Sequence, residues 1–408
     1  MLSLNTNRLE RYAHNWIVFG FFVYLGAFFL LEEIEIMRPY RIFVMLPVVV
    51  LCIITRLKCI QDKRALFICA IFFGYLSLSA LWGEGRLWEA TKHSFYILCL
   101  MLSVATFSQR FSEETVVKFL IGIGLIAAIT YIAGIFLSDR DVMDFFDLRF
   151  SFHEIGGWGN GNPINSGIII GIPAIAAWYF FPNRKWHIKL MLTMTIILCA
   201  ILMFVTKSRG PMISVVITLL CIVLFRRERG DFFLVFLFAV LIGAAILYID
   251  TLDGVIINRF KEENYRLFIW REGWNLFIDH WSFGQGYKTD AKIIIEMEGS
   301  HGVSIRYAHN SFIEILRVGG IVGGVLFFFM LGSMLRLSHI HFGNRFYLFW
   351  LFFGILCLST TGRLPLSKPT AIEAVGFWIP LFLFYFLRKP PVPSVSNVSA
   401  THEKTGEV

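Results

Sequence analysis

The chain has 408 residues, 57% hydrophobic and only 16% charged, with a formal net charge of +8 and a mean hydropathy of +0.67. So few polar groups cannot cover the surface of a soluble globule, and the composition is that of an integral membrane protein in contact with membrane lipids. The basic balance does not point to nucleic acid, because much of it follows the inside-positive bias of membrane loops.

Apolar windows near the ~20 residues that cross a hydrocarbon core fall at 15–31, 40–55, 65–82, 93–107, 116–137, 163–181, 188–206, 211–225, 232–249, 309–335, 345–362 and 370–387. They predict an all-α polytopic membrane protein of about 12 transmembrane helices. Clusters such as Arg56/Lys58/Lys63/Arg64, Arg184/Lys185/Lys189 and Arg226/Arg227/Arg229 alternate with loops that hold one or two cations. Both termini are then cytoplasmic and the long loop after the ninth window faces outside. The polar first 15 residues precede a full-length span with no small-residue cleavage site, which predicts no cleavable signal peptide.

The predicted organisation is a membrane domain of nine spans over 1–249, a large outer loop over 250–308, three more spans over 309–389 and a disordered tail over 390–408. All seven cysteines fall in spans or on the inner side, so no disulfide framework shapes the outer loop.

Three outer places could carry chemistry. After a small outer loop with Arg149 and the Gly/Asn run from Gly156 to Asn162, the segment Thr206-Lys207-Ser208-Arg209-Gly210-Pro211 joins two spans. Two cations before a Pro-started helix make an anion site, because free helix N–H groups and guanidinium both favour phosphate; a lysine or arginine that snorkels to lipid head groups is the plainer alternative.

The large loop carries Arg266 and Arg271 on a helix expected over 264–281, whose aromatic stripe is Trp270, Trp274, Phe277 and Trp281. Arg266, one turn before Trp270, is expected to aim inward, while a solvated or lipid-facing charge is the competing reading. The turn Phe283-Gly284-Gln285-Gly286-Tyr287 follows, and residues 289–298 read as a second short helix.

Third, Ala308-His309-Asn310 opens the next span, with Glu314 and Arg317 on the face of Asn310. An imidazole at a membrane boundary can serve as a general base, and a cap is the plainer role. Glu314 and Arg317 read equally as an intramembrane ion pair. Gly319/Gly320 and Gly323/Gly324 form overlapping small-xxx-small pairs that predict close packing on another helix. No Walker loop, zinc motif or paired carboxylates on an outer loop stand in the sequence, so no metal or cofactor is expected and arginines would have to stabilise any leaving phosphate.

These segments, in this order and spacing, resemble the bacterial O-antigen ligase and polymerase superfamily. The resemblance covers about residues 145–330 by motif and the whole chain by topology and loop placement. It implies a glycosyltransferase with a fold likened to the GT-C class, acting at the periplasmic face of the inner membrane. Donor and acceptor would be polysaccharide on undecaprenyl pyrophosphate and lipid A-core, and the transfer would be inverting and metal-independent. By the same resemblance Arg209 and Arg266 match the arginines thought to grip the pyrophosphate, and His309 matches the histidine proposed as base or acceptor-orienting group. Arg149, Lys207, Arg271 and Asn310 are supporting candidates.

Polymerases of the superfamily often show Arg-x10-Gly in two outer loops; no Arg here has Gly at that spacing, since Arg149 to Gly159 is one short. That favours the ligase branch. The alternatives are an O-antigen polymerase, a protein O-oligosaccharyltransferase, whose chains commonly add a soluble tail, and a transporter of lipid-linked oligosaccharide, which would spread charges through the spans.

Overall fold

The computed structural model describes residues 2–55, 62–83, 85–138, 150–226, 240, 256–287, 293–295, 303–305, 307–337, 345–362 and 368–386. In chain order the helices are α1 (Leu2–Leu30), α2 (Met37–Ile54), α3 (Lys63–Leu78), α4 (Leu87–Phe107), α5 (Glu113–Leu137), the short α6 (Phe152–Gly156), α7 (Pro163–Phe180), α8 (Trp186–Val205), α9 (Arg209–Arg226), α10 (Ile256–Asp279), α11 (Ser311–Leu337), α12 (Arg345–Thr361) and α13 (Ala374–Phe386). Between α10 and α11 the strands β1 (Ile293–Ile295) and β2 (Val303–Ile305) pair antiparallel, with Ile294 opposite Ser304.

Among the described residues nine helices are long and apolar enough to cross a membrane, and α12 and α13 are shorter apolar helices. The chain is a multi-pass membrane protein. The window expected at 232–249 falls, apart from Val240, outside the described residues, as does the tail beyond 386. The ribbon is a small addition to an otherwise all-helical fold, and it corrects one expectation: the helix expected over 289–298 is absent where β1 stands. Three consecutive isoleucines favour a strand because β-branched side chains lose rotamer freedom in a helix and pack well on a pleat.

In a bilayer the lipid tails are as apolar as the helices, so close backbone approach and internal hydrogen bonds hold the bundle together. Glycines mark the crossings. Gly124 of α5 lies against Pro173 of α7, Gly171 of α7 against Phe353 of α12, and Gly354 of α12 against the carbonyl of Gly376 in α13, each with no room for a Cβ. Buried tyrosines tie helices through backbone carbonyls: Tyr131 donates to Phe29 at 2.7 Å, and Tyr24 donates to Pro369.

One span is broken. Gly320 of α11 has φ 61 and ψ −163, a conformation open in practice only to glycine. A break inside a membrane helix frees backbone groups that must find partners, and the turn after α10 supplies them. Gln285 N–H donates to the Arg317 carbonyl at 2.8 Å and Gly286 N–H to Val318 at 2.9 Å. On the other side of the break, Ile321 N–H donates to the Trp281 carbonyl at 2.8 Å and Val322 N–H to Ser282 at 3.3 Å. Of the expected small-residue pairs, Gly319 and Gly323 do face a neighbour, the ring of Tyr75 on α3, whose hydroxyl donates to the Gly319 carbonyl at 2.6 Å. Gly320 has the different job of making the break.

Candidate functional site

The first candidate place is the turn between α8 and α9. Thr206, Lys207 and Ser208 are buried and Arg209 is half-buried. Lys207 takes φ 45, the left-handed conformation that costs a side chain energy and is held only by surrounding contacts. Its N–H donates to the Phe204 carbonyl at 2.9 Å, and the Ser208 hydroxyl to the Thr206 carbonyl at 3.1 Å. Arg209 is the first residue of α9, so its guanidinium and the free N–H groups of the helix start belong to one end of the bundle. Gly167 of α7 packs on Ser208 and Pro211, which seats this turn beside the start of α7.

That start is built as the sequence suggests. Asn162 caps α7, accepting from Ile164 N–H at 2.9 Å, with Pro163 in the first turn. Ser151 and Glu154 form a capping box on α6, and Phe150 N–H reaches the Val205 carbonyl at 3.5 Å. Arg149 lies outside the described residues.

His309 occupies the second place, in the turn that enters α11. It too is left-handed, at φ 50, half-buried, with its ring edge-on to Tyr307 at 5.0 Å between centroids. Among the described residues only three that are not glycine have positive φ, and Lys207 and His309 are two of them. Asn310 is the cap of α11, its Oδ1 accepting from Phe312 N–H at 3.0 Å and Ile313 N–H at 3.2 Å. The Ala308 N–H donates to the Glu314 carboxylate at 3.1 Å. Glu314 and Arg317, 0% and 1% exposed, form the expected ion pair, with Nη2 to Oε1 at 2.5 Å and Nε to Oε2 at 3.0 Å.

The third place is α10. Its buried side is Ile269, Gly273 and Phe277, while Trp274 and Trp281 are 46% and 62% exposed. The aromatic stripe read from the spacing is thus divided: Phe277 is buried and Trp270 half-buried, while Trp274 and Trp281 face outward. Broad indoles suit a boundary between lipid and water. Arg266 is exposed rather than aimed into the packed side, and Arg271 is exposed too. Ile269, one turn on from Arg266, packs against Ala308, which sets the arginine-bearing helix beside the His309 turn.

The structure thus gathers two of the three places directly and the third through α12. A Cβ on Gly210 would lie 3.2 Å from the Thr360 hydroxyl at the end of α12, and Gly362, just beyond, abuts Ser311, two residues after His309. Below Ser311 lies a narrow cleft between α11, α12 and α13, with room for little more than a water molecule, lined by Ile315, Phe327, Leu358, Trp378 and one carboxyl, Glu373. Sequence reading missed Glu373, because a lone acid before an apolar helix carries no spacing signal. Among the described residues no three His, Cys, Asp or Glu side chains are grouped as a bound metal would need.

Tyr287 anchors the turn that fills the helix break. Its N–H donates to the Ser79 hydroxyl at 3.0 Å and its hydroxyl shares a hydrogen bond with His93 Nδ1 at 3.1 Å. Burial pushes that hydroxyl up to about 12, so it stays protonated at neutral pH.

Residues 194–328 match the model of a protein family described as O-antigen ligase. Over that segment the chain is similar to the O-antigen ligase superfamily. No curated protein matches the chain closely enough to count as a relative. The O-antigen ligase segment runs from α8 past the break in α11, and it contains Lys207, Arg209, Arg266, Arg271, His309 and Asn310 but not Arg149. The resemblance read from the motifs over about 145–330 and this match overlap from residue 194 onward, α6 and α7 lying outside the match.

Proposed function

We propose that this protein is an O-antigen ligase. It transfers polysaccharide from undecaprenyl pyrophosphate to lipid A-core at the periplasmic face of the bacterial inner membrane, with inversion and without a metal ion. The observation that carries the reading is the family match over the segment that holds both strained turns and the arginine-bearing helix. In the proposed mechanism Arg209 and Arg266 hold the donor pyrophosphate, with the start of α9 adding N–H groups aimed at anionic oxygen. His309 takes the proton of the acceptor hydroxyl as that oxygen attacks the anomeric carbon, and the pyrophosphate leaves against the arginines. Lys207 adds charge behind Arg209, and Asn310 sets the direction of α11.

A broken span is also a hallmark of transporters, where freed backbone groups bind the cargo. Here the groups freed at Gly320 are taken up by the 281–286 backbone, which favours an enzyme with a fixed site. The test is reconstitution in nanodiscs with carrier-linked polysaccharide and lipid A-core in the presence of EDTA. Polysaccharide appearing on lipid A-core is the expected result. Polymer growing on the carrier while the core stays bare would make the protein a polymerase.

A further inference from the structure

Arg317 does more than pair with Glu314. Its third contact, Nη1 to the Gln285 side-chain carbonyl at 2.8 Å, joins α11 to the turn that follows α10. Read outward from that turn, four groups form a line. Gln285 fixes the Arg317 guanidinium; Arg317 holds both oxygens of Glu314; Glu314 accepts the Ala308 N–H; and Ala308 precedes His309. Glu314 and Arg317 are wholly enclosed, so in these surroundings the forked pair has one strongly preferred geometry.

His309 needs such support. Its left-handed backbone is the costlier state for a histidine, and a residue persists there only when its neighbours over-determine it. The cap by Asn310 fixes the chain after His309, and the Glu314 contact fixes the chain before it. The same Gln285 donates its own N–H to the Arg317 carbonyl at the helix break. The turn carrying Gln285 continues from the helix that carries Arg266.

We propose that Gln285, Arg317 and Glu314 are positioning residues that hold His309 at a fixed distance from the arginine-bearing helix. The inference rests on the reading of His309 as the base of a transferase. The relay sets the spacing between the group that accepts the proton and the group that holds the leaving pyrophosphate, and it touches neither substrate.

The test uses the full-length protein in nanodiscs, with donor-binding sites counted by calorimetry and transfer expressed per binding site. Gln285→Leu removes the last link without stranding the buried ion pair, and Gln285→Glu keeps an acceptor for Arg317. Misplacing a reacting group by about 1 Å costs on the order of 100-fold in rate. The expected result is that Gln285→Leu binds donor with wild-type stoichiometry and affinity, transfers at least about tenfold more slowly per site, and recovers most of the rate as Gln285→Glu. Wild-type transfer per site in Gln285→Leu would overturn the relay, as would a rate that falls only in step with lost binding sites. His309→Asn is run alongside. Normal transfer by that variant would refute the base assignment itself, an outcome separate from failure of the relay.

Discussion

Gly284 and Gly320 meet backbone to backbone: a Cβ on Gly284 would lie 2.4 Å from the Gly320 nitrogen, and one on Gly320 would lie 2.5 Å from the Gly284 nitrogen. Both have positive φ, 71 and 61. Neither position admits a side chain, for reasons of space and of backbone conformation together. Gly284→Ala and Gly320→Ala should each destabilise the protein by about 2–4 kcal/mol. Thermal unfolding in detergent would show it as a clear drop in midpoint, and a midpoint within a degree of the parent would contradict the geometry.

The ion pair of α11 makes a second, asymmetric prediction. Removing one partner leaves the other charged in a buried place, so Glu314→Ala should cost about 3–5 kcal/mol. Replacing both by apolar residues of like volume should cost much less in stability, since each charge loses its desolvation penalty along with its partner. The double replacement should still abolish transfer. Folding and activity measured on the same two variants would separate the two effects.

His309 should show stability and function pulling apart. His309→Gly relieves a left-handed side chain and should raise stability by about 0.5–1 kcal/mol, while transfer is lost. Asn tolerates the same backbone, so His309→Asn should melt near the parent and be equally inactive. Active His309→Asn would mean that the imidazole is not the base. The neighbouring cap behaves differently: Asn310→Ala should cost about 1 kcal/mol of stability, and Asn310→Asp should restore it.

The arginines should divide by role. Arg209→Ala and Arg266→Ala should each lower transfer by about 100-fold or more, as expected when a donor to developing phosphate charge is lost, while the protein remains inserted and abundant. Arg271→Ala should be tolerated. Radiolabelled donor transfer in membranes matched for protein amount measures all three, and normal product from Arg266→Ala would remove that residue from the site.

Much of this was legible in the sequence. Apolar windows placed α1 to α5, α7 to α9 and α11 to α13, mostly within a few residues although α1 and α4 begin well before their windows, because a span must be long and hydrocarbon-like whatever it packs against. The Glu314–Arg317 pair followed from local spacing alone. The exact face of α10 did not: periodicity found an aromatic stripe, but which of its members turn inward depends on the neighbour, so Phe277 is buried while Trp274 and Trp281 are exposed. Nor did the break at Gly320 show itself, since adjacent glycines read equally well as a packing seam. Its cause lies some forty residues earlier, in backbone carbonyls at Trp281 and Ser282 that no sequence pattern displays. The left-handed turns at Lys207 and His309 were likewise hidden, although both residues were singled out for their chemistry.

Transfer from carrier to core is tested most directly by the lipopolysaccharide banding of a strain lacking this chain, with carrier-linked polymer assayed in the same extracts. A ligase predicts bare lipid A-core together with long polymer accumulating on undecaprenyl pyrophosphate. Single repeat units attached to core, with no ladder, would contradict it and identify a polymerase.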